Sequence, residues 1–182
     1  LGSVMKLLTS VLAMRLVEEG DLALDEPIIG RWPSFALADP DVTMTLTLRH
    51  LLTHRSGLFG DYLKSYGDGD DAIELYADDA AHLQQVTPPD TVFSYCYAAF
   101  VLAARACEVA TGRRWHDLVA EHIVQDMQMT RAGTRLTDLP DEDVAVGHVA
   151  AEKGLHIPVY DGEFSYSLAP AGALGWSSVG GL

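Results

Sequence analysis

The sequence predicts an α/β (α+β) fold that is mostly helical, with a few short strands toward its end. Three observations predict it. Val4, Leu7, Leu8, Val11, Leu12 and Leu16 recur every three or four residues, the spacing of one apolar helix face. Residues 98–110 are apolar on nearly every side except at Arg105 and Glu108, the composition of a buried helix. After Gly133 the helical signal fades, and residues 144–149 and 157–160 read as short extended pieces.

The elements follow in order. The first helix runs from about Ser3 to Glu19 and stops at Gly20, a natural C-terminal glycine. Pro27 and Pro33 keep the next stretch extended, with Trp32 and Phe35 at core edges. Residues 43–47 are β-prone. Thr47 then caps a helix with Leu48, Leu51 and Leu52 on its apolar side, ending at Gly57. Residues 59–71 form an acidic, glycine-containing loop. Its Asp68, Asp70 and Asp71 lack the spacing and the closing glutamate of a calcium loop. A helix over 71–85 carries Ile73, Leu75, Tyr76 and Leu83. Pro88-Pro89-Asp90-Thr91 breaks the chain before Val92-Phe93-Ser94-Tyr95-Cys96-Tyr97 and the buried helix, which Thr111-Gly112 ends. A further helix spans Trp115 to about Gln125. Residues 138–143 are an acidic turn around Pro140, and Ser177 or Ser178 stands where another helix would be capped.

Length and composition fit one domain with a real core: 182 residues, 48% hydrophobic and 21% charged. Twelve basic against 26 acidic residues, a net charge of −14, argue against nucleic acid or an anionic membrane as the main partner. No apolar run is long enough to span a bilayer. No secretory signal is visible, so the compartment, cytoplasmic or periplasmic and secreted, stays open. Cys96 and Cys107 make no disulfide framework and read as unpaired thiols. His50 and His54 have the four-residue spacing of a metal pair on a helix, but no glutamate follows His50 and no third ligand is evident, so helix packing is the better reading. His116 and His122, six apart, read as structural. No cofactor and no metal are expected.

Chemistry enters at Ser3 and Lys6. Three residues apart on a helix, they lie on neighbouring turns of one side, and Ser3 stands where unpaired N–H groups favour developing negative charge. A lysine in apolar surroundings is a way to activate such a serine, since desolvation favours the neutral amine that takes the proton. On the two residues alone, a capping serine beside a surface lysine is the commoner meaning.

Six motifs in order decide between these readings. They are Gly2-Ser3-x-x-Lys6, Gly20-x-Leu22-x-Leu24-Asp25-x-Pro27, Leu48-Arg49-His50-Leu51-Leu52-Thr53-His54-x-Ser56-Gly57-Leu58, Phe93-Ser94-Tyr95, Glu108-x-x-Thr111-Gly112 and Pro170-Ala171-Gly172-x-Leu174. Together the chain resembles the serine hydrolases of the class C β-lactamase type, a family that also holds D,D-peptidases, D-aminopeptidases and carboxylesterases. The resemblance implies a serine β-lactamase-like fold, with Ser3 as the acylated nucleophile and Lys6 holding or relaying its proton. Tyr95 would be the phenol of the Tyr-x-Asn motif across the cleft. A phenol acts as base near neutrality only if a cation such as Lys6 stabilises the phenolate; on its own, Tyr95 also reads as a core tyrosine.

Three departures from the family pattern shape the expectation. Tyr97 replaces the asparagine that pairs with the substrate's amide, which makes Tyr97 a substrate-binding candidate and favours ester over amide hydrolysis. Pro89-Asp90 stands where proline-glycine is usual. The family's Lys/His-Thr/Ser-Gly strand, which supplies one oxyanion donor beside the Ser3 N–H, does not occur, nor do the first and last strands of the central antiparallel sheet. Residues 1–182 therefore read as a partial domain, the nucleophile's helix plus the helical region, incomplete at both ends. Exposed apolar surface is expected on the Ser3 helix. The expected function is a serine hydrolase of small-molecule esters or amides acting through an acyl-enzyme. The alternatives are an acylable but non-catalytic binding or sensor module, an inactive fragment, or a plain helical interaction domain; oligomeric state stays open.

Overall fold

Apolar spacing places the first long helix, α1, at Met5–Glu19 in a computed structural model that describes residues 1–139, 144–151, 154–159 and 165–181. A single 3₁₀ turn, Gly2–Val4, leads into it, so Ser3 sits one turn ahead of the α-helix proper. Gly20 closes α1 at φ 87°, a left-handed conformation that needs a residue without a Cβ. The predicted apolar stripe splits in two. Leu8, Leu12 and Leu16 of that stripe are buried, with Met5 and Ala13 beside them, whereas its Val4 and Leu7 are 43% and 61% exposed, as is the neighbouring Met14 at 43%. The exposed apolar edge expected on this helix is therefore present.

The core is built around α5, Tyr97–Thr111, against which α1, α3 (Leu48–Leu52), α4 (Ala72–Asp78), α6 (Trp115–Val119) and the 3₁₀ segment Tyr166–Ala171 all pack. Five alanines among its buried positions, Ala98, Ala99, Ala103, Ala104 and Ala106, let neighbouring backbones approach closely. Buried Glu108 joins α5 to α6: its Oε1 accepts from the Trp115 N–H at 2.9 Å and its Oε2 from Arg105 at 3.1 Å. The Glu-x-x-Thr-Gly motif thus has a structural use here. Trp32 and Phe35 lie inside the core rather than at its edge, 6% and 3% exposed with ring centroids 5.0 Å apart.

The strands are short and few, as expected. β1 (Ala132–Gly133) pairs antiparallel with β4 (Trp176–Ser177), and β2 (Gly147–Ala150) with β3 (His156–Val159), Gly147 standing opposite Val159. Ser177 is thus in a strand, and the segment after it, Val179–Gly181, is a 3₁₀ turn. Of the acidic turn expected over 138–143, Asp138 ends a 3₁₀ turn, Leu136–Asp138, while residues 140–143, like Tyr160, lie outside the described residues.

Several boundaries differ from expectation for physical reasons. Residues 43–47 are not a strand. α2 occupies Pro40–Thr45, because the Asp39 carboxylate caps the Asp41 and Val42 N–H groups at 2.9 and 3.2 Å and Pro40 occupies the first turn. This start signal outweighs the β-preference of Val42, Thr43 and Thr45. The helix over 71–85 stops early, at Asp78, and a 3₁₀ turn, Asp79–His82, completes it. Asp79 is drawn off by the loop over 59–71, whose Tyr62 and Tyr66 hydroxyls and Lys64 ammonium all donate to its Oδ2. Those hydrogen bonds, Tyr62 first, hold its carboxyl well below the usual carboxylate range. The helix after Trp115 passes into a π-helical turn at Ala120–Gln125. Cys96 and Cys107 are buried free thiols, and buried His116 faces Thr134 with 3.0 Å between Nδ1 and Oγ1.

Candidate active site

The first turn of the chain is clamped from one side by the segment at 170–175. The Thr9 hydroxyl donates to the Pro170 carbonyl at 2.9 Å, and the Lys6 ammonium donates to the Ala171 carbonyl. Gly172, at φ 132°, lies so close to the Gly2–Ser3 peptide that a Cβ there would stand 2.8 Å from the Gly2 carbonyl and 2.9 Å from the Ser3 nitrogen. The Pro-Ala-Gly motif is therefore a backbone seat for Ser3 and Lys6.

From the other side comes the residue pair at the mouth of α5. Tyr95 precedes that helix, and Cys96 caps it, its sulfur accepting from the Ala99 N–H at 3.4 Å. The loop after α3 fixes this mouth at three points. The Ser94 N–H donates to the His54 carbonyl at 2.9 Å, the Cys96 N–H to His54 Nδ1 at 3.0 Å, and the Tyr97 N–H to the Gly60 carbonyl at 3.0 Å. The His54 ring also lies against the Tyr95 ring, centroids 4.5 Å apart and tilted by 31°. His54 carries a left-handed backbone, φ 58°, because α3 ends at Leu52.

All four residues singled out from the sequence meet here. The Tyr95 hydroxyl donates to Ser3 Oγ at 2.8 Å, and Lys6 Nζ stands 3.5 Å from the same oxygen. Lys6 is only 5% exposed, and its ammonium lies over three ring faces: 4.0 Å from the Tyr97 centroid, 4.6 Å from Tyr95 and 5.8 Å from Phe100. Burial pushes the Tyr95 phenol up. The hydrogen bonds from Lys6 and Ser3 and the charge of Lys6 outweigh that, and the phenol ends below its ordinary value near 10. Burial first, and then the Lys6 charge, push His54 below the ordinary histidine value, so a neutral ring accepts from Cys96.

Sequence reasoning missed His54. The spacing makes it a helix-packing partner of His50, but α3 ends at Leu52 and the two do not share a helix face. His50 instead completes the capping box of α3, its Nδ1 accepting from the Thr47 N–H at 3.1 Å. The signal is the Leu-Thr-His-x-Ser-Gly-Leu motif itself: α3 ends at Leu52 with Thr53 as its C-cap, so His54 falls beyond the helical register. Phe100 falls within the buried helix expected over residues 98–110 and is not singled out by the sequence. Nothing in the spacing revealed that its ring reaches toward Lys6.

Ser3 thus stands between a phenol and an ammonium in the turn that opens α1, and α1 packs into an alanine-rich bundle. The family model described as Beta-lactamase matches residues 1–182, and the chain belongs to that family. It is 38% identical over 152 residues to penicillin-binding protein 4 of Amycolatopsis lactamdurans, covering 81% of this chain and 39% of that protein. It is 30% identical over 182 residues to esterase EstB of Burkholderia gladioli, covering 89% of this chain and 46% of that one. Among solved structures, the octameric penicillin-binding protein homologue from Pyrococcus abyssi superposes with a TM-score of 0.81 at 25% identity, covering 100% of this chain and 42% of that one. The chain thus spans less than half the length of each of these relatives.

Proposed function

We propose that Ser3, Lys6 and Tyr95 are the working set of a serine hydrolase that cleaves small-molecule esters or amides through an acyl-enzyme. The observation that carries this is the 2.8 Å contact between the Tyr95 and Ser3 oxygens, with Lys6 beside both. As phenolate, Tyr95 accepts the Ser3 hydroxyl proton while Oγ bonds to the substrate's carbonyl carbon. Tyr95 then returns that proton to the departing alcohol or amine as the carbon–heteroatom bond breaks. In the second half, water gives its proton to Tyr95 and its oxygen to the acyl carbon, and Ser3 Oγ leaves with the proton. A positioned base of this kind contributes about 10²- to 10⁴-fold in rate. The Lys6 charge keeps the phenolate accessible, in keeping with the lowered phenol.

An ester is the preferred substrate class. Tyr97 stands two residues after Tyr95, and a phenol ring does not reproduce the paired donor and acceptor with which an asparagine side chain holds a substrate amide. Among the proteins this chain is similar to, one is named an esterase and another a penicillin-binding protein.

A fluorophosphonate probe followed by peptide mapping tests the assignment. Label is expected on Ser3, absent in Ser3→Ala and much slower in Lys6→Ala. Turnover of a p-nitrophenyl ester is expected to follow the labelling. Labelling without turnover points to the acylable sensor, and label on any other residue refutes the assignment.

A further inference from the structure

Lys6 presents a problem of charge. Its ammonium is buried with 5% of the residue exposed, and among the described residues no carboxylate pairs with it. A buried ammonium needs its three donors used and its charge met. The Ala171 carbonyl takes one donor and Ser3 Oγ faces a second at 3.5 Å. The remaining side is covered by aromatic rings, of which Tyr97 lies nearest, with its centroid 4.0 Å from Nζ. A ring face carries negative quadrupole charge, and a cation within about 6 Å of its centroid is attracted to it, most strongly where water is excluded.

We propose that Tyr97 is a positioning residue for the reaction: its ring face, not its hydroxyl, holds the Lys6 ammonium in place between Ser3 and Tyr95. This rests on the reading of the site given above and adds a residue that acts through Lys6. Three further observations support it. The Tyr97 N–H donates to the Gly60 carbonyl at 3.0 Å, so the ring is planted at the first residue of α5 and does not depend on a mobile side-chain stem. The Tyr97 ring also meets the Tyr95 ring edge to face, centroids 5.6 Å apart and planes at 86°, so one side chain orients both partners of Ser3. Finally, the other titratable groups facing Lys6 and Tyr95 are held uncharged. Burial and Lys6 lower His54 on the loop after α3, and burial raises Cys96 at the mouth of α5. Lys6 is then the charge that Tyr95 feels, and its position sets how readily the phenol ionises.

The test compares the wild type with Tyr97→Phe, Tyr97→Leu and Tyr97→Met, each checked for a cooperative thermal transition, by the rate of Ser3 fluorophosphonate labelling as a function of pH. Tyr97→Phe keeps the ring and is expected to keep the pH inflection, with a rate well above that of the aliphatic variants. The leucine and methionine variants keep apolar bulk but lose the π face. In them the inflection is expected to move to higher pH, and the neutral-pH rate to fall by roughly ten- to thirtyfold, the value of a desolvated cation–π contact. An unchanged inflection in both aliphatic variants overturns the proposal while leaving Ser3 as nucleophile. A phenylalanine variant as slow as the aliphatic ones overturns it too, because the hydroxyl would then be the active part. Absence of Ser3 labelling in the wild type removes the reading of the site and this proposal together. Should the aliphatic variants not fold, proton NMR of Lys6 in the wild type and Tyr97→Phe decides. Upfield ring-current shifts of its ε protons are expected in both, and unshifted resonances overturn the proposal.

Discussion

A single methyl group added at Gly172 provides a sharp probe of how Ser3, the proposed nucleophile, is held. The residue sits at φ 132°, where an L side chain is strained by about 1–3 kcal/mol. The new Cβ would also stand 2.8 Å from the Gly2 carbonyl carbon and oxygen and 2.9 Å from the Ser3 nitrogen, where ordinary contact begins near 3.4 Å. All three atoms are backbone, so no side chain can swing aside. The Gly2–Ser3 peptide must retreat by about 0.6 Å, the difference between 3.4 and 2.8 Å. Displacements approaching 1 Å at a reacting group cost on the order of 10²-fold in rate, so a loss of roughly tenfold or more is expected for Gly172→Ala. The assay is the Ser3 labelling rate beside a thermal melt, with Gly30→Ala as control, since a Cβ at Gly30 meets nothing within 4 Å. At about 2–4 °C per kcal/mol for a chain of this size, the Gly172 variant should melt several degrees below the control. A Gly172→Ala protein that labels and melts like Gly30→Ala would refute the claim that this glycine seats the nucleophile.

Two further outcomes follow from histidines packed beside the core, His116 buried and His54 half-buried. Burial first, and then the Arg135 charge, push His116 from 6.5 down to about 4; the neutral form belongs to the fold, so its stabilisation is complete above pH 6.5 and is lost as pH falls toward 4, on the order of 3 kcal/mol in all. Urea unfolding at several pH values should show this slope in the wild type and its absence in His116→Gln; equal slopes would contradict it. His54→Leu removes the acceptor of the Cys96 N–H, so unfolding should become easier by about 1–3 kcal/mol, with Ser3 labelling slowed in parallel; unchanged values of both would show that the loop does not hold Tyr95.

How much of this was legible beforehand differs from element to element. α1 and α5 were read nearly to their ends because their apolar spacing and closing glycines are local signals. α2 was misread because Asp39 and Pro40, which start it, lie just before the β-prone residues that were weighed. Val4 and Leu7 fit the helical period but face outward, since the period identifies a stripe and not which edge of it the neighbouring elements cover. At the site, Ser3, Lys6, Tyr95 and Tyr97 came from ordered motifs, and the structure brings them together. The ring contacts on Lys6 and the His54 clamp join residues 40 to 94 positions apart through loops, and no periodicity encodes such a meeting. Tyr97 is expected toward the substrate from its place in the motif; that its ring also lies over the lysine is not encoded there.

The central claim is that the Tyr95 phenol exchanges a proton with Ser3, and its most direct measurement is the pH dependence of Ser3 acylation in the wild type and in Tyr95→Phe. The account predicts a wild-type rate that rises with an inflection below the ordinary phenol value. In the phenylalanine variant it predicts a rate lower by about 10²- to 10⁴-fold, with that inflection gone. A Tyr95→Phe protein that acylates Ser3 at the wild-type rate, with the same inflection, would contradict it.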